Sequence, residues 1–253
     1  MINILLSGAN GKMGQAVTRA AENYSESVRI AAGLDINTEQ KSGYIVYDKT
    51  DDICEDIDVI IDFSHPAMLD CILNYASEKN IPAVICTTGL SADQLSRIKF
   101  EAKSVPIFFS ANMSIGVNLL IELACKAAKL LENGFDIEIL EKHHNQKLDA
   151  PSGTALAIAD AVADTVSYEP EFVYDRHSVR KKRDKREIGI HSVRGGTIVG
   201  EHDVIFAGCD EVIELKHSAA SKEVFAVGAI RAAQFITGQN PGLYSMKDLI
   251  DAQ

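Results

Sequence analysis

The stretch Ile2-Asn3-Ile4-Leu5-Leu6-Ser7-Gly8-Ala9-Asn10-Gly11-Lys12-Met13-Gly14 decides the fold of this 253-residue chain. A short apolar strand at 3–6 runs into three glycines spaced Gly-x-x-Gly-x-x-Gly, and a helix at 11–23 follows. Glycine lets a backbone approach a pyrophosphate closely, and the free N–H groups and dipole of a helix N-terminus attract anions. The spacing differs from the commoner Gly-x-Gly-x-x-Gly, and a tight strand-to-helix turn needs glycine in any case. Context gives the motif its weight. Asp35 ends a second apolar strand at 28–34, 21 residues after Gly14. A carboxylate at that place can hold the hydroxyls of an adenosine ribose.

Outward from this unit the same alternation continues to residue 113. Strands at 58–63, 81–86 and 105–109 are separated by helices at 66–79 and 92–103. Apolar strands joined by amphipathic helices predict a parallel sheet covered on both faces, a Rossmann-type α/β domain. Ligands of such sheets collect beyond the carboxyl ends of the strands. Two segments end there: Cys86-Thr87-Thr88-Gly89 and Ser110-Ala111-Asn112-Met113. Small and hydroxylic residues suit close passage of a nicotinamide; ordinary loop chemistry is the alternative for each.

After 113 the pattern changes. A long helix at 115–131 precedes a strand at 136–141, a helix at 154–166, and strands at 188–193, 197–206 and 212–216 without crossover helices. That order predicts an α+β domain with a mixed or antiparallel sheet. A last helix at 223–236, with a short tail, is expected to cover the thinly covered face of the first sheet. The domains are then 1–113 with 223–253, binding the dinucleotide, and 114–222, binding the substrate.

The second domain carries Glu141-Lys142-His143-His144-Asn145-Gln146-Lys147-Leu148-Asp149-Ala150-Pro151-Ser152-Gly153-Thr154. Ser152 is a candidate N-cap, so the N–H groups near Gly153 and Thr154 point outward toward a guest such as a carboxylate. Lys147 adds a full positive charge. Adjacent His143 and His144 in an extended segment face opposite ways, so one can meet the reacting atom while the other binds or packs. Histidine titrates near neutrality and serves as acid or base. The alternatives are a metal site or two satisfied histidines; no carboxylate or cysteine falls at a familiar ligand spacing, so no metal is expected.

Segment 175–187 holds seven Lys or Arg and three acids without a periodic apolar face. It reads as a solvated loop or as a basic flap over an anionic site.

Charged residues make up 24% and apolar residues 46%, with a net charge of −11, which disfavours nonspecific nucleic-acid binding but not a small anion. No apolar run is long enough to span a bilayer, and no signal peptide is read at the start. Cys54, Cys71, Cys86, Cys125 and Cys209 lack disulfide or zinc spacing, so a reducing cytoplasm is expected.

Taken together the motifs resemble the 4-hydroxy-tetrahydrodipicolinate reductase (dihydrodipicolinate reductase) family of the diaminopimelate–lysine pathway, over nearly the whole chain. The likeness lies in Gly-x-x-Gly-x-Met-Gly, Thr-Thr-Gly, Ser110-Ala-Asn-Met-Ser-Ile-Gly-Val-Asn118, His-His…Lys…Asp-Ala-Pro-Ser-Gly-Thr, and Arg194-Gly-Gly…Gly-Glu-His202. The resemblance implies hydride transfer from NADH or NADPH to a cyclic imine dicarboxylate, and a homotetramer assembled through the C-terminal sheets. It implies His143 and Lys147 as the proton-transferring residues, and His144, Lys147, Ser152, Gly153 and Thr154 as substrate contacts. It also implies cofactor contacts at Gly8, Ala9, Asn10, Gly11, Lys12, Met13, Asp35, Cys86, Thr87, Thr88, Ser110, Ala111, Asn112 and Met113. Cys86 stands where the family pattern usually has glycine, and a side chain there can crowd the cofactor.

Two other readings share parts of this pattern. A different two-domain dehydrogenase of an amino acid or semialdehyde would have no need of the His-His…Ser-Gly-Thr segment. A nucleotide-sensing regulator would be expected to lose His143 or Lys147. For the cofactor, Asp35 followed by Ile36 and Asn37 places a negative charge, and no arginine, where a 2′-phosphate would sit. Lys12 offsets part of this, so the expectation is a preference for NADH with measurable use of NADPH.

Overall fold

A computed structural model describes residues 1–252. The chain runs β1 (Ile2–Ser7), α1 (Lys12–Glu22), β2 (Val28–Leu34), β3 (Ile45–Tyr47), β4 (Val59–Asp62), α2 (Leu69–Lys79), β5 (Ala83–Ile85), α3 (Ala92–Glu101) and β6 (Pro106–Phe109). It continues α4 (Ile115–Leu131), β7 (Asp136–His143), α5 (Gly153–Ala163), β8 (Glu171–Val173), β9 (Glu187–Arg194), β10 (Gly200–Ala207) and β11 (Val212–Ala219). It closes with α6 (Glu223–Ile236), β12 (Gly242–Tyr244) and α7 (Met246–Asp251). Two compact units result: Met1–Ile115 together with the chain from Lys222 onward, and Gly116–Ser221.

The first unit is a seven-stranded sheet in the order β12-β6-β5-β4-β1-β2-β3, with every pairing parallel. Its central strands are apolar on both sides because both faces are covered. Ile4, Leu6, Val59, Ile61, Val84 and Phe108 pack with α1 and α6, while Leu5, Ile60, Ile85 and Ile107 pack with α2 and α3. The C-terminal helix α6 lies beside α1 over β4, β5 and β6. The tail after it is more than a tail: β12 pairs with β6 as the sheet's last strand, and α7 follows. A capping box of Ser245 and Asp248 starts the six-residue α7; this helix and the three-residue Gly-Leu-Tyr strand are too short to carry a readable period. The same brevity hid β3.

The second unit is a five-stranded sheet in the order β11-β10-β7-β9-β8. β7 pairs parallel with β9 and antiparallel with β10, so the sheet is mixed. The strands at 188–193 and 197–206 are therefore not neighbours, because β7 lies between them. The second of them begins only at Gly200, after a turn in which Gly196 takes a left-handed φ of +49°. Strand β7 alternates strictly. Ile137 and Ile139 enter a core with α4, α5, Ile188, Ile190, Val204 and Phe206, and Glu141 and His143 continue the same buried face.

Segment 175–187 is neither a free flap nor merely solvated. Arg176 reaches Glu138 and the fully buried Glu187, Lys181 also pairs with Glu187, and Arg183 holds Asp136 and Glu138 as well as three backbone carbonyls. These contacts hold Glu187 down to about 2, the Arg176 hydrogen bond first among them. Arg176, Lys181 and Arg183 are thus partners for acids on the second unit's own strands, a pairing no local period reveals, while Arg186 pairs with Asp184 within the segment.

Candidate active site

In the first unit the carboxyl ends of β1, β2, β4, β5 and β6 carry the glycine turn and the small-residue loops. Gly8 adopts a left-handed φ of +76°, and a Cβ there would lie 2.7 Å from the Phe63 carbonyl oxygen. A Cβ on Gly14 would lie 2.2 Å from the Gly8 carbonyl. Any larger residue would fill the space over the turn. Asp35 accepts the Asn10 N–H at 2.9 Å and the Asn37 N–H at 3.0 Å, and the Asn10 amide donates to the Asn37 and Glu39 carbonyls. The carboxylate thus also ties the glycine turn to the loop after β2. Ala9 is buried under the turn; Lys12 is exposed at the first position of α1.

Two clefts open on this crest. One, of about 230 Å³, is lined by Ser7, Gly8, Gly11, Asp35, His65 and Met68 among others. The other, of about 300 Å³, is lined by Met13, Cys86, Thr87, Thr88, Ala111, Asn112, Met113 and Phe225. Phe63 and Ser64 line both. Asp62, fully buried at the end of β4, accepts from Ser64 Oγ at 2.6 Å and Thr87 Oγ1 at 2.7 Å, fixing the floor. Ser110 does not line the cleft; it donates to the Asn112 carbonyl and shapes the turn. Cys86 is almost fully buried among Val84, Phe108 and Met113, and burial pushes its thiol well above the ordinary range. The side chain therefore packs as a small apolar group on the cleft wall. A cradle emptied by glycine, a helix N-terminus and two clefts on either side of Ser64 fit a dinucleotide. Asp62, Phe63, Ser64 and Phe225 went unread, because none belongs to a spaced motif.

In the second unit the inner face of the sheet turns from apolar to polar along its length. One row runs His217–His202–Glu141–Ser192 across β11, β10, β7 and β9, and in the next His143 stands opposite Arg194. Glu141 is completely buried. It accepts from Arg194 through both nitrogens at 2.8 and 2.7 Å, from the Ser152 N–H at 3.0 Å, and lies 2.6 Å from His143 Nδ1. Burial opposes its ionisation, but the Arg194 and His143 hydrogen bonds win and hold it down to about 2. Ser152 caps α5: its Oγ accepts the Ala155 N–H at 3.1 Å and lies 3.0 Å from His202 Nε2. His202, buried, is depressed to about 4 by burial and by His143 nearby, so it is neutral. The His143 and His202 rings meet edge to face, centroids 5.2 Å apart.

His143 ends β7 and is buried, whereas His144 follows the strand half-buried. Lys147 is tied by its backbone N–H to the His144 carbonyl and by its ammonium to Asp149 at 2.8 Å. Gly153 is exposed at the first position of α5, with no atom near where a Cβ would project, and Thr154 follows it. The unit thus brings together His143, His144, Lys147, Ser152, Gly153 and Thr154, and adds Glu141, Arg194 and His202. Arg194 and His202 were visible as parts of a motif; Glu141 had no spacing signal. Among the described residues no group of His, Cys, Asp and Glu is arranged to hold a metal, all five cysteines are free, and no helix is long and apolar enough to cross a membrane.

Residues 2–113 match the family model for the N-terminus of dihydrodipicolinate reductase, and residues 116–250 the model for its C-terminus. The chain is 52% identical over 250 residues to the 4-hydroxy-tetrahydrodipicolinate reductase of Caldanaerobacter subterraneus subsp. tengcongensis, covering 99% of this chain and 98% of that one. It is 46% identical over 253 residues to the same enzyme of Clostridium novyi, with both chains covered completely. Among solved structures, dipicolinate-bound dihydrodipicolinate reductase from Paenisporosarcina sp. TG-14 superposes with a TM-score of 0.82 at 26% identity, over 97% of each chain. The chain belongs to the dihydrodipicolinate reductase family, enzymes of diaminopimelate and lysine biosynthesis that reduce 4-hydroxy-tetrahydrodipicolinate to tetrahydrodipicolinate with NADH or NADPH.

Proposed function

We propose that in this reductase residues 1–113 and 223–253 bind the dinucleotide, and residues 114–222 bind the cyclic dicarboxylate and deliver its proton. The observation that carries the reading is the Glu141–His143–Ser152 arrangement, which puts an acid–base imidazole and a capped helix N-terminus on one ion pair. The Gly8–Met13 turn would receive the pyrophosphate, Asp35 the adenosine ribose, and the cleft from Cys86 to Met113 the nicotinamide, with Thr87, Thr88, Ala111 and Asn112 as its walls. When bound, the nicotinamide supplies the hydride.

The substrate's carboxylates would meet the N–H groups at Gly153 and Thr154, the Ser152 cap, His144 and the Lys147 ammonium. A carboxylate arriving at Lys147 would exchange for Asp149, an exposed partner and therefore a weakly held one. His143 Nε2 and the Lys147 ammonium are the proton-bearing groups for the reduced ring. Dipicolinate in the Paenisporosarcina enzyme is a planar dicarboxylate of the class this cradle suits. We place the enzyme in the cytoplasm as a homotetramer. The composition and free thiols support the first. The second draws support from α4 and α5 packing on the inner face of the five-stranded sheet, while Val193 and Val212 are exposed on its strands. The decisive assay follows NADH absorbance with 4-hydroxy-tetrahydrodipicolinate for the wild type and for Lys147→Ala. A Lys147→Ala variant with wild-type kcat and KM would overturn the assignment, and size-exclusion chromatography with light scattering reads the assembly.

A further inference from the structure

The reductase reading places Glu141 beside His143 and Ser152 without saying what it does to the ring, yet this carboxylate is fully buried and accepts hydrogen bonds from His143, the Ser152 N–H and Arg194. We propose that the Glu141–Arg194 pair is a positioning device: it fixes the proton of neutral His143 on Nδ1, leaves Nε2 as the atom that carries the transferred proton, and seats the first turn of α5. The proposal rests on the reading of His143 as proton donor.

The tautomer follows from donor and acceptor chemistry. An ionised carboxylate can only accept, so the ring nitrogen 2.6 Å from Glu141 Oε2 must donate. Neutral His143 then carries its hydrogen on Nδ1, and a second proton enters or leaves at Nε2. The glycine at 200 keeps that nitrogen uncovered, since a Cβ there would lie 3.1 Å from it. Arg194 balances the buried charge with a bidentate fork and also donates to the Asp149 carbonyl at 2.6 Å, tying the loop between Lys147 and α5 to the same pair.

The groups around His143 are accounted for. Glu141 is on its own strand, Arg194 on β9, neutral His202 on β10 with His217 beyond it on β11, and Lys147 paired with Asp149 on the following loop. The first charged residue of α5 is Asp160, two turns from the cap and exposed. The anion in contact with the ring is Glu141 alone among the described residues whose contacts are given.

Glu141→Gln is the sharp variant because its amide cannot satisfy every neighbour at once. The Ser152 N–H is a fixed donor and requires the carbonyl oxygen of Gln. The NH₂ then faces His143, where the only relief is for Nδ1 to become an acceptor. That forces the hydrogen to Nε2 and disfavours the imidazolium, which needs an acceptor at Nδ1. The experiment is ¹⁵N NMR of the ring nitrogens in full-length protein, assigned by difference against His143→Asn, alongside kcat and KM. The wild type should show a protonated Nδ1 and a bare Nε2 in its neutral form. Glu141→Gln should show the reverse, with kcat reduced by at least tenfold and a much smaller change in KM for NADH. The double variant Glu141→Gln/Arg194→Met, which leaves no buried unpaired charge, should show the same reversal and guards against a folding defect. Nε2–H as the wild-type tautomer, or folded Glu141→Gln with unchanged tautomer and kcat, overturns the proposal. Should His143→Asn itself keep full kcat, the proton-donor reading fails while the tautomer measurement still decides the positioning claim.

Discussion

The two sites in this chain are built by opposite means. The crest of the first sheet works by what is missing: Gly8 and Gly14 leave space, and the backbone supplies the donors. The inner row of the second sheet works by what is present: a carboxylate, a guanidinium and three imidazoles gathered from four strands around the buried Glu141, His143 and His202. The first kind is vulnerable to adding a methyl group, the second to removing a charge or a proton. The glycine turn of the first is local in sequence, whereas the row of the second draws on residues 141 to 217.

Catalysis should expose the difference most strongly. His143→Ala and Lys147→Ala should each lower kcat by roughly 10²-fold or more, the scale of a positioned proton donor. The Kd for NADH, read by fluorescence titration, should hardly move, because both residues belong to the second unit. A large rise in the NADH Kd for either variant would break the separation of the two sites.

The converse variant is Gly14→Ala. Its Cβ would overlap the Gly8 and Ala9 carbonyls at 2.2 and 2.5 Å, and backbone cannot step aside as a flexible side chain can. The expected outcome is a cost of about 1–3 kcal/mol in the unfolding of the first unit, with NADH binding weakened at least tenfold. A Gly14→Ala variant that binds NADH normally would show that the cradle does not need the space.

Acid should act on the second unit by a calculable route. His202 is depressed from its usual 6.5 to about 4 by burial and by His143, so the folded state disfavours its protonated form. The unfolded chain binds the extra proton first, and stability falls as pH drops from 6.5 to 4, by an amount on the order of 3 kcal/mol. Glu141, held at about 2 against a usual 4.5, contributes stability above 4.5 that is lost as pH falls toward 2. The windows are consecutive and their slopes share a sign. Urea midpoints between pH 8 and pH 4 should fall chiefly below 6.5, and His202→Asn should flatten that part of the curve. An equally steep curve in the variant would assign the loss elsewhere.

The contrast also explains what could be read from the sequence. The parallel sheet followed from alternating apolar runs and helices, and its cofactor turn from glycine spacing, because both are properties of consecutive residues. The mixed sheet was legible as a class, but the insertion of β7 between β9 and β10 is a pairing across some 60 residues that no period encodes. The His143–Thr154 segment was legible by its composition. Glu141 was not, because a lone glutamate in an alternating strand looks like a solvent-facing residue until Arg194 is brought over it. The basic segment 175–187 misled for the same reason: its partners Asp136 and Glu138 lie on β7.

Cofactor choice is the finest distinction, and it belongs to the first site. Asp35 is held by two backbone N–H groups, so its charge cannot easily turn away from a ribose. A 2′-phosphate some 4 Å away would meet about 4 kcal/mol of repulsion per charge pair at an effective dielectric of about 20, before screening. Lys12, exposed at the start of α1, is placed to offset part of that; Lys41 is already paired with Glu39. The expected outcome is a higher kcat/KM for NADH, with NADPH still used. Asp35→Asn should shift the ratio toward NADPH while also raising the KM for NADH, since an amide offers one oxygen where two N–H groups need acceptors. The ratio of the two kcat/KM values at one salt concentration is therefore the quantity to compare. A tenfold preference for NADPH in the wild type would mean that Lys12 or a more distant cation outweighs Asp35, and a ratio unmoved by Asp35→Asn would remove the carboxylate from cofactor selection altogether.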